Sequence, residues 1–260
     1  MKMRSIFSTV SLLVFFVMIF ISANSHNAFA ELVGLWNFDD GKEDVAKDSS
    51  GKGHDGVIKG CKIDTGKYGK GLKFIAGNAL EIPDQPEFDF GDKLSIALWA
   101  NIESLPNDHI GLPGKGHDLA TGSFVLHPTK LDAKKYELRF YVSFGAQWPM
   151  AKSADTANFG EWHHLAGTYD GAEMRVYIDG KLSGTLKQNG KMNTTKDVPL
   201  KYTNDCCGRQ LVGVLDEIRI YNNALSEEQV KGTMEQFKLA VEPDAKMAIT
   251  WGNIKTGIED

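Results

Sequence analysis

The sequence is poor in cysteine, in runs of basic residues and, beyond its first thirty positions, in long apolar stretches. Each shortage removes a class of protein. The three cysteines, Cys61, Cys206 and Cys207, match no zinc-ligand spacing, and the adjacent pair makes poor joint ligands for one tetrahedral ion. In an exported chain Cys61 forms a disulfide with one of the pair and leaves an odd thiol, or all three stay reduced. No basic run exceeds Lys134-Lys135 and the formal net charge is −5, which argues against nucleic acid as a partner. No segment after residue 30 is long and apolar enough to span a bilayer. No internal repeat of solenoid length is present. The sequence also lacks Gly-x-Ser-x-Gly and any His-x-Glu-x-x-His spacing, so His54, His109 and His117 have no partners at ligand spacing. His163 and His164 are neighbours on an expected strand, point to opposite faces and cannot chelate one ion together.

The chain does have a clear start. Lys2 and Arg4 precede an apolar run over 6–21 and then Ala28-Phe29-Ala30, the pattern of a secretory signal peptide cleaved before Glu31. The alternative reading of that run is an uncleaved membrane anchor. The remaining length suits one large domain over 31–237, followed by a patternless tail at 238–260. The 27 glycines suit many turns between short strands. The clearest stretch is WHHLAGTYDGAEMRVYIDGKLSG at 162–184, three strands joined by Asp170-Gly171 and Asp179-Gly180, each expected to form a type I′ turn. Met174, Val176 and Ile178 alternate with Glu173, Arg175 and Tyr177, as a half-buried strand does. Residues 94–102 are apolar on both faces, which predicts a central strand covered on both sides. Further strands are expected at 32–38, 71–75, 79–82, 122–127, 136–144, 147–152 and 211–221. Residues 48–56 form an oxygen-rich loop, and Ser226-Glu-Glu-Gln229 is a capping box that starts the one expected helix.

About a dozen short strands and one late helix predict an all-β, two-sheet antiparallel sandwich. The stretches GLWNFDDG (34–41), DSSGKGHDG (48–56), WHHLAGTYDGAEMRVYIDGK (162–181) and LDEIRIYNNALSEEQ (215–229) resemble the laminin-G-like jelly-roll family of the concanavalin A-like lectin/glucanase superfamily. The resemblance frames residues 31–230 and implies that fold. It also implies an extracellular glycan- or protein-binding module, or an accessory module of an exported enzyme. Related hydrolases carry Glu-x-Asp-x-x-Glu on one strand. Here Glu87-Phe-Asp89 is followed by Phe90-Gly91-Asp92 beside Pro86, and Asp216-Glu217 are adjacent, so catalysis is not expected.

On 211–221, strict alternation puts Asp216 with Val214, Ile218 and Ile220 on the core side. A buried carboxylate needs a cation or a full set of hydrogen bonds. The resemblance implies a structural calcium tying the N-terminal loop to this region, and Asp216, Asp48, Asp55 and Asp39 are the expected ligands. The alternative is that Asp216 caps backbone amides and Asp48 opens an Asx-turn, with no metal. For a ligand, sugar recognition needs a flat aromatic with in-plane polar groups. Trp148, Tyr141 and Arg139, joined by His117 and Asp118 from a neighbouring loop, are the expected platform. The alternative for Trp148 is a core or edge-covering role, and Trp36, Trp99 and Trp162 are assigned to the core. Asn193-Thr-Thr195 matches a glycosylation sequon. The expected partner is an extracellular glycan or glycoprotein, reached from a secreted, cell-surface or periplasmic location. The rival expectation is a protein-interaction or adhesion module without a sugar site.

Overall fold

Alternation of apolar and polar residues gives each strand one face to bury, and two sheets laid face to face bury both sets at once. The computed structural model describes residues 30–116, 122–203 and 209–235. The first strands are β1 (Leu32–Trp36), β2 (Val45–Ala46), β3 (Gly56–Lys59), β4 (Lys62–Thr65), β5 (Lys70–Phe74) and β6 (Ala79–Ile82). Then come β7 (Leu94–Ser104), β8 (Gly114–Lys115), β9 (Phe124–Lys130), β10 (Lys135–Val142), β11 (Met150–Lys152) and β12 (Ala157–Asn158). The chain continues through β13 (Trp162–Tyr169), β14 (Glu173–Ile178), β15 (Lys181–Lys187), β16 (Leu200–Tyr202) and β17 (Val212–Tyr221) to helix α1 (Glu227–Glu235).

The first sheet has the order β15-β14-β13-β7-β17-β5-β4, with β1 also against β17. The second runs β11-β10-β9-β8-β16-β6-β3-β2, with β12 beside β10. Every strand pairing among the described residues is antiparallel, as the sequence predicts. Trp36, Phe74, Leu98, Leu126, Phe140 and Leu215 meet between the sheets. The outer face of the first sheet is closed by α1, where Leu225 and Val230 pack on Ala97, Ala166, Tyr177 and Tyr221. That covers β7 on both sides, as its doubly apolar sequence requires. The capping box forms: the Gln229 amide donates to the Ser226 hydroxyl at 3.2 Å, and the Ser226 amide donates to Gln229 Oε1 at 2.8 Å. Among the described residues no helix is long and apolar enough to cross a membrane. The expected signal segment and the tail from 238 lie outside the described residues.

Three expectations change. The Asp179-Gly180 turn has positive φ at both residues, 51° and 73°, as a type I′ turn needs. The first turn is different: only Gly171 has positive φ, and Asp170 Oδ1 accepts the amides of Ala172 and Glu173, making a longer Asx-stabilised loop. Strands β4 and β16 were not expected, because Lys-Ile-Asp-Thr carries a single apolar residue and Leu-Lys-Tyr is too short to show a period. Most consequential is a bulge in β17. Asp216 pairs with Trp99 but Arg219 pairs with Ala97, so one extra residue enters at Glu217, whose φ is 51°. The bulge shifts the alternation. Leu215, Ile218 and Ile220 face the core, whereas Asp216 leaves the expected core set and lies on the outer face with its partner Trp99.

The loop after β2 is folded around Asp48. Its Oδ1 accepts the amides of Leu35 (3.1 Å) and Ser50 (2.8 Å), and its Oδ2 accepts that of His54 (2.9 Å). The Trp36 indole then donates to the His54 carbonyl at 2.9 Å, so the loop is pinned to β1. Burial alone raises the Asp48 carboxyl, but the bonds from Ser50, His54 and Leu35 outweigh it and hold the group below its ordinary value. Such a group stabilises the fold above its unfolded pKa, and that stability is lost as pH falls through the lowered value. Asp48→Ala should therefore cost about 3 kcal/mol in urea unfolding at neutral pH and flatten the acid limb of stability against pH. An unchanged acid limb contradicts this role.

Candidate functional site

The outer face of the second sheet has no helix over it among the described residues. On β10 the apolar set Tyr136, Leu138, Phe140 and Val142 points inward, leaving Glu137, Arg139 and Tyr141 outward. The register sets Arg139 beside His127 of β9 and Lys152 of β11, and Tyr141 beside Val125 and Met150. Three rings run in a row here: His109 lies 4.8 Å from His127, and His127 lies 5.4 Å from Tyr141, edge to face. His109 reaches the row through a bridge to Thr129. Beneath the row, Glu137 is 2 % exposed and compensated twice, by Arg139 at 2.6 Å and Lys152 at 2.7 Å. Burial raises the Glu137 carboxyl, but Lys152 and Arg139 together hold it below its ordinary value, so it stays ionised.

Of the expected platform, Arg139 and Tyr141 lie on this face. Trp148 is half-buried beside it, just after the turn bridged by Phe144 and Gln147 and two residues before Met150. His117 and Asp118 lie outside the described residues. The sequence reading did not assign His109 or His127 to the platform; His127 ends the expected strand 122–127, so its outward parity was readable, whereas no pattern pointed to His109. The turn is clamped by Asn193, whose Oδ1 accepts the Gly145 amide and whose Nδ2 donates to the Gly145 carbonyl, both at 2.8 Å. The sequon asparagine is thus occupied as a strut. Trp36 is fully buried between the sheets; Trp99 is buried on the outer side of the first sheet, under Tyr68 and Lys67, and Trp162 is only half-buried.

The expected metal ligands have different partners. Asp48 accepts three amides, and Asp55 accepts the Asp48 amide and the Lys47 ammonium, both at 2.9 Å. Both are engaged in hydrogen bonds around their own loop. Asp39 and Asp216 instead sit where β17 changes partner, from β5 at Gly213–Leu215 to β1 at Ile218–Tyr221. Asp216 Oδ2 accepts the Tyr68 amide and Asp39 Oδ1 that of Lys70, both at 3.0 Å. Burial pushes Asp216 up to about 7, and the Glu217 and Asp39 charges add to the shift. Burial also raises Glu217 to about 7, and its buried Oε1 has no hydrogen-bond partner. Among the described residues no three of His, Cys, Asp and Glu converge as a metal site.

The remaining candidates are structural. His163 bonds Asp179 at 2.8 Å, while His164 is buried beside Thr233, where burial holds its imidazole down to about 3. Asp89 pairs with the buried Lys115 at 2.6 Å, and Glu87 lies on a short 3-10 turn, so the two make no catalytic pair on one strand. Cys61 is a buried free thiol rather than half of a disulfide, and burial pushes it up to about 12. Cys206 and Cys207 lie outside the described residues.

A family model described as concanavalin A-like lectin/glucanases superfamily, of the laminin-G type, matches residues 75–231, more than half of the chain. The chain belongs to that superfamily. No curated protein matches the sequence. Among solved structures, domain 4 of AbnA, a GH43 extracellular arabinanase from Geobacillus stearothermophilus solved with arabinotriose, aligns at TM-score 0.56 and 21 % identity. That alignment covers 78 % of this chain and 98 % of that domain. The binding domain of Paraclostridial Mosquitocidal Protein 1 aligns at TM-score 0.63 and 17 % identity, over 80 % of this chain and 52 % of that one. The binding domain of Botulinum Neurotoxin DC, in complex with SialylT, gives 0.57 and 12 %, over 77 % and 50 %. The chain thus spans about half the length of the two toxin domains. At these identities the shared property is the superfamily fold.

Within that fold the Asn193 strut makes a local prediction. Asn193→Ala should speed amide exchange at Gly145 and Gln147 and cost about 1–2 kcal/mol of stability. Exchange unchanged at Gly145 shows that the strut does not hold the Trp148 turn.

Proposed function

We propose that the chain is an exported, non-catalytic carbohydrate-binding domain that grips a glycan on the open face of its second sheet. The observation that carries this is the pair His109 and Tyr141, both partly exposed and packed on the buried His127 (5 % exposed), with Arg139 beside them: flat rings for the C–H face of a sugar, and polar edges for its hydroxyls. A fold neighbour crystallised with arabinotriose, matched over nearly its whole length, supports the reading. A protein-interaction module would present a contiguous apolar patch, whereas the exposed large apolar residues here, Val57, Ile75, Leu131 and Leu182, lie on four separate segments. Glu137 supports the non-catalytic part of the reading by its state. It is the acid beneath the row, and both its oxygens are held by cations, so it has no proton to give. Export through cleavage before Glu31 belongs to the same proposal, and N-terminal sequencing of secreted protein tests it.

Tyr141→Ala or His109→Ala should weaken glycan retention at least tenfold, about 1.4 kcal/mol, with the melting temperature nearly unchanged. Full retention in both variants removes the site from this face.

Calcium also belongs to the proposal, held at Asp39 and Asp216 with loop carbonyls. Two raised carboxyls and the unpartnered Glu217 Oε1 support a cation there. The pH sign is opposite to that of Asp48. Folded pKa values raised to about 7 give stability that is present below the unfolded values near 4 and lost as pH rises through about 7. In chelator, stability should decline from pH 4 to 7.5; millimolar calcium should remove the decline in the native protein and leave it in Asp39→Ala. Identical melting curves with calcium and with chelator at pH 7.5 sink the metal.

A further inference from the structure

The open face carries a second charge cluster that none of the ring contacts explains. Crossing the sheet from Tyr141, the register passes Val125 on β9, Gly114 on β8, Lys201 on β16 and Glu81 on β6. Glu81 is held between Lys59 at 2.6 Å and Lys201 at 3.5 Å. This repeats the arrangement at the other end, where Glu137 is held between Arg139 and Lys152. Each cluster sets two cations against one carboxylate and keeps a net charge of about +1, on a chain whose formal charge is −5. The two carboxylate-bearing strands, β10 and β6, are four ladder spacings apart, about 19 Å at ~4.8 Å each. Between them Gly114 and Val125, neighbours in register, are buried, so the exposed charge of this crossing lies at its two ends.

We infer that this face takes an acidic polysaccharide, a chain of carboxylate-bearing sugars laid across the strands from Arg139 and Lys152 to Lys201 and Lys59. The inference rests on the carbohydrate-binding reading and names the ligand class for the same face. The donors suit carboxylates. Arg139 spends Nε and one Nη2 hydrogen on Glu137 and one Nη1 hydrogen on Tyr141. That leaves, by count, one N–H on each terminal nitrogen without a partner among the described residues, and paired guanidinium donors match the two oxygens of a carboxylate. Lys152 and Lys59 have side chains about half exposed, at 52 % each, so their remaining N–H groups reach solvent. A cluster with two cations and one fixed anion is completed by a second anion. A neutral glycan leaves both clusters one negative charge short; a polyuronate fills both, with Tyr141 beside the Arg139 end.

The test compares polygalacturonate with the same polymer after carboxyl reduction, which keeps the linkage and removes the charge, and with neutral arabinan, all against the full chain. Polygalacturonate should bind at least tenfold more tightly than the other two, and its binding should weaken severalfold as salt rises from low to about 0.5 M. Lys59→Gln with Lys201→Gln should lose at least tenfold, Lys59→Arg with Lys201→Arg should retain binding, and both should melt as the native protein does. Equal binding of native and carboxyl-reduced polymer overturns the inference, as does full binding by the double glutamine variant. Binding of neutral chains alone overturns it and leaves the carbohydrate reading intact. Binding of none of the three overturns both.

Discussion

Strand β17 is the member on which the first sheet depends, because two different strands share one of its edges. It pairs with β7 along its length, and on its other side with β5 at Gly213–Leu215 and then β1 at Ile218–Tyr221. Where one partner stops and the next begins, the Tyr68 and Lys70 amides of the intervening loop need acceptors. Asp216 and Asp39 supply them. The bulge at Glu217 is what turns Asp216 outward to that task while Leu215, Ile218 and Ile220 still reach the core. Its cost is a non-glycine residue at φ 51°, on the order of 1–3 kcal/mol.

The two sheets then take different roles. The first is buried on both faces, between the core and α1, so its outer polar groups serve the fold: Arg219 reaches Glu217 and the Thr233 carbonyl, and His164 meets Thr233. The second has no helix on its outer face among the described residues. There Val125, His127 and Glu137 are buried while Arg139, Tyr141 and Lys152 stay partly or largely exposed, ordered by ion pairs along the surface. Glu137 is the key member, since a carboxylate so buried is tolerable only because Arg139 and Lys152 lie against it. Those same pairs orient Arg139 beside Tyr141. A rigid, shallow, pre-formed face of this kind suits recognition of a polymer better than enclosure of a small substrate.

Much of the fold was legible along the chain. The alternation of β10 and β14, the Asp179-Gly180 turn and the capping box at Ser226 are local signals, and each appears as read. Arg139 and Tyr141 were legible for the same reason, since parity on a strand is a property of neighbours in sequence. The parity of His127, last residue of the expected strand 122–127, was equally readable but does not reveal its ring contacts, and His109 was missed because an isolated bridge leaves no periodic trace.

What the sequence determined by itself is whatever one strand or turn decides: which residues alternate, where the chain reverses, and that two faces must be buried. Tertiary structure decided the partners. Asp48 and Asp216 look alike in sequence, acids beside apolar strands, yet one accepts the amides of Leu35, Ser50 and His54 and the other stands at a fork, accepting a loop amide 148 residues away in the chain. The face of Asp216 was likewise beyond local reading, because a bulge inserts one residue and reverses parity from that point on. The two cation clusters on the open face are assembled from β3, β6, β10, β11 and β16. No periodicity in the chain encodes their meeting; the ladder order of the finished sheet does.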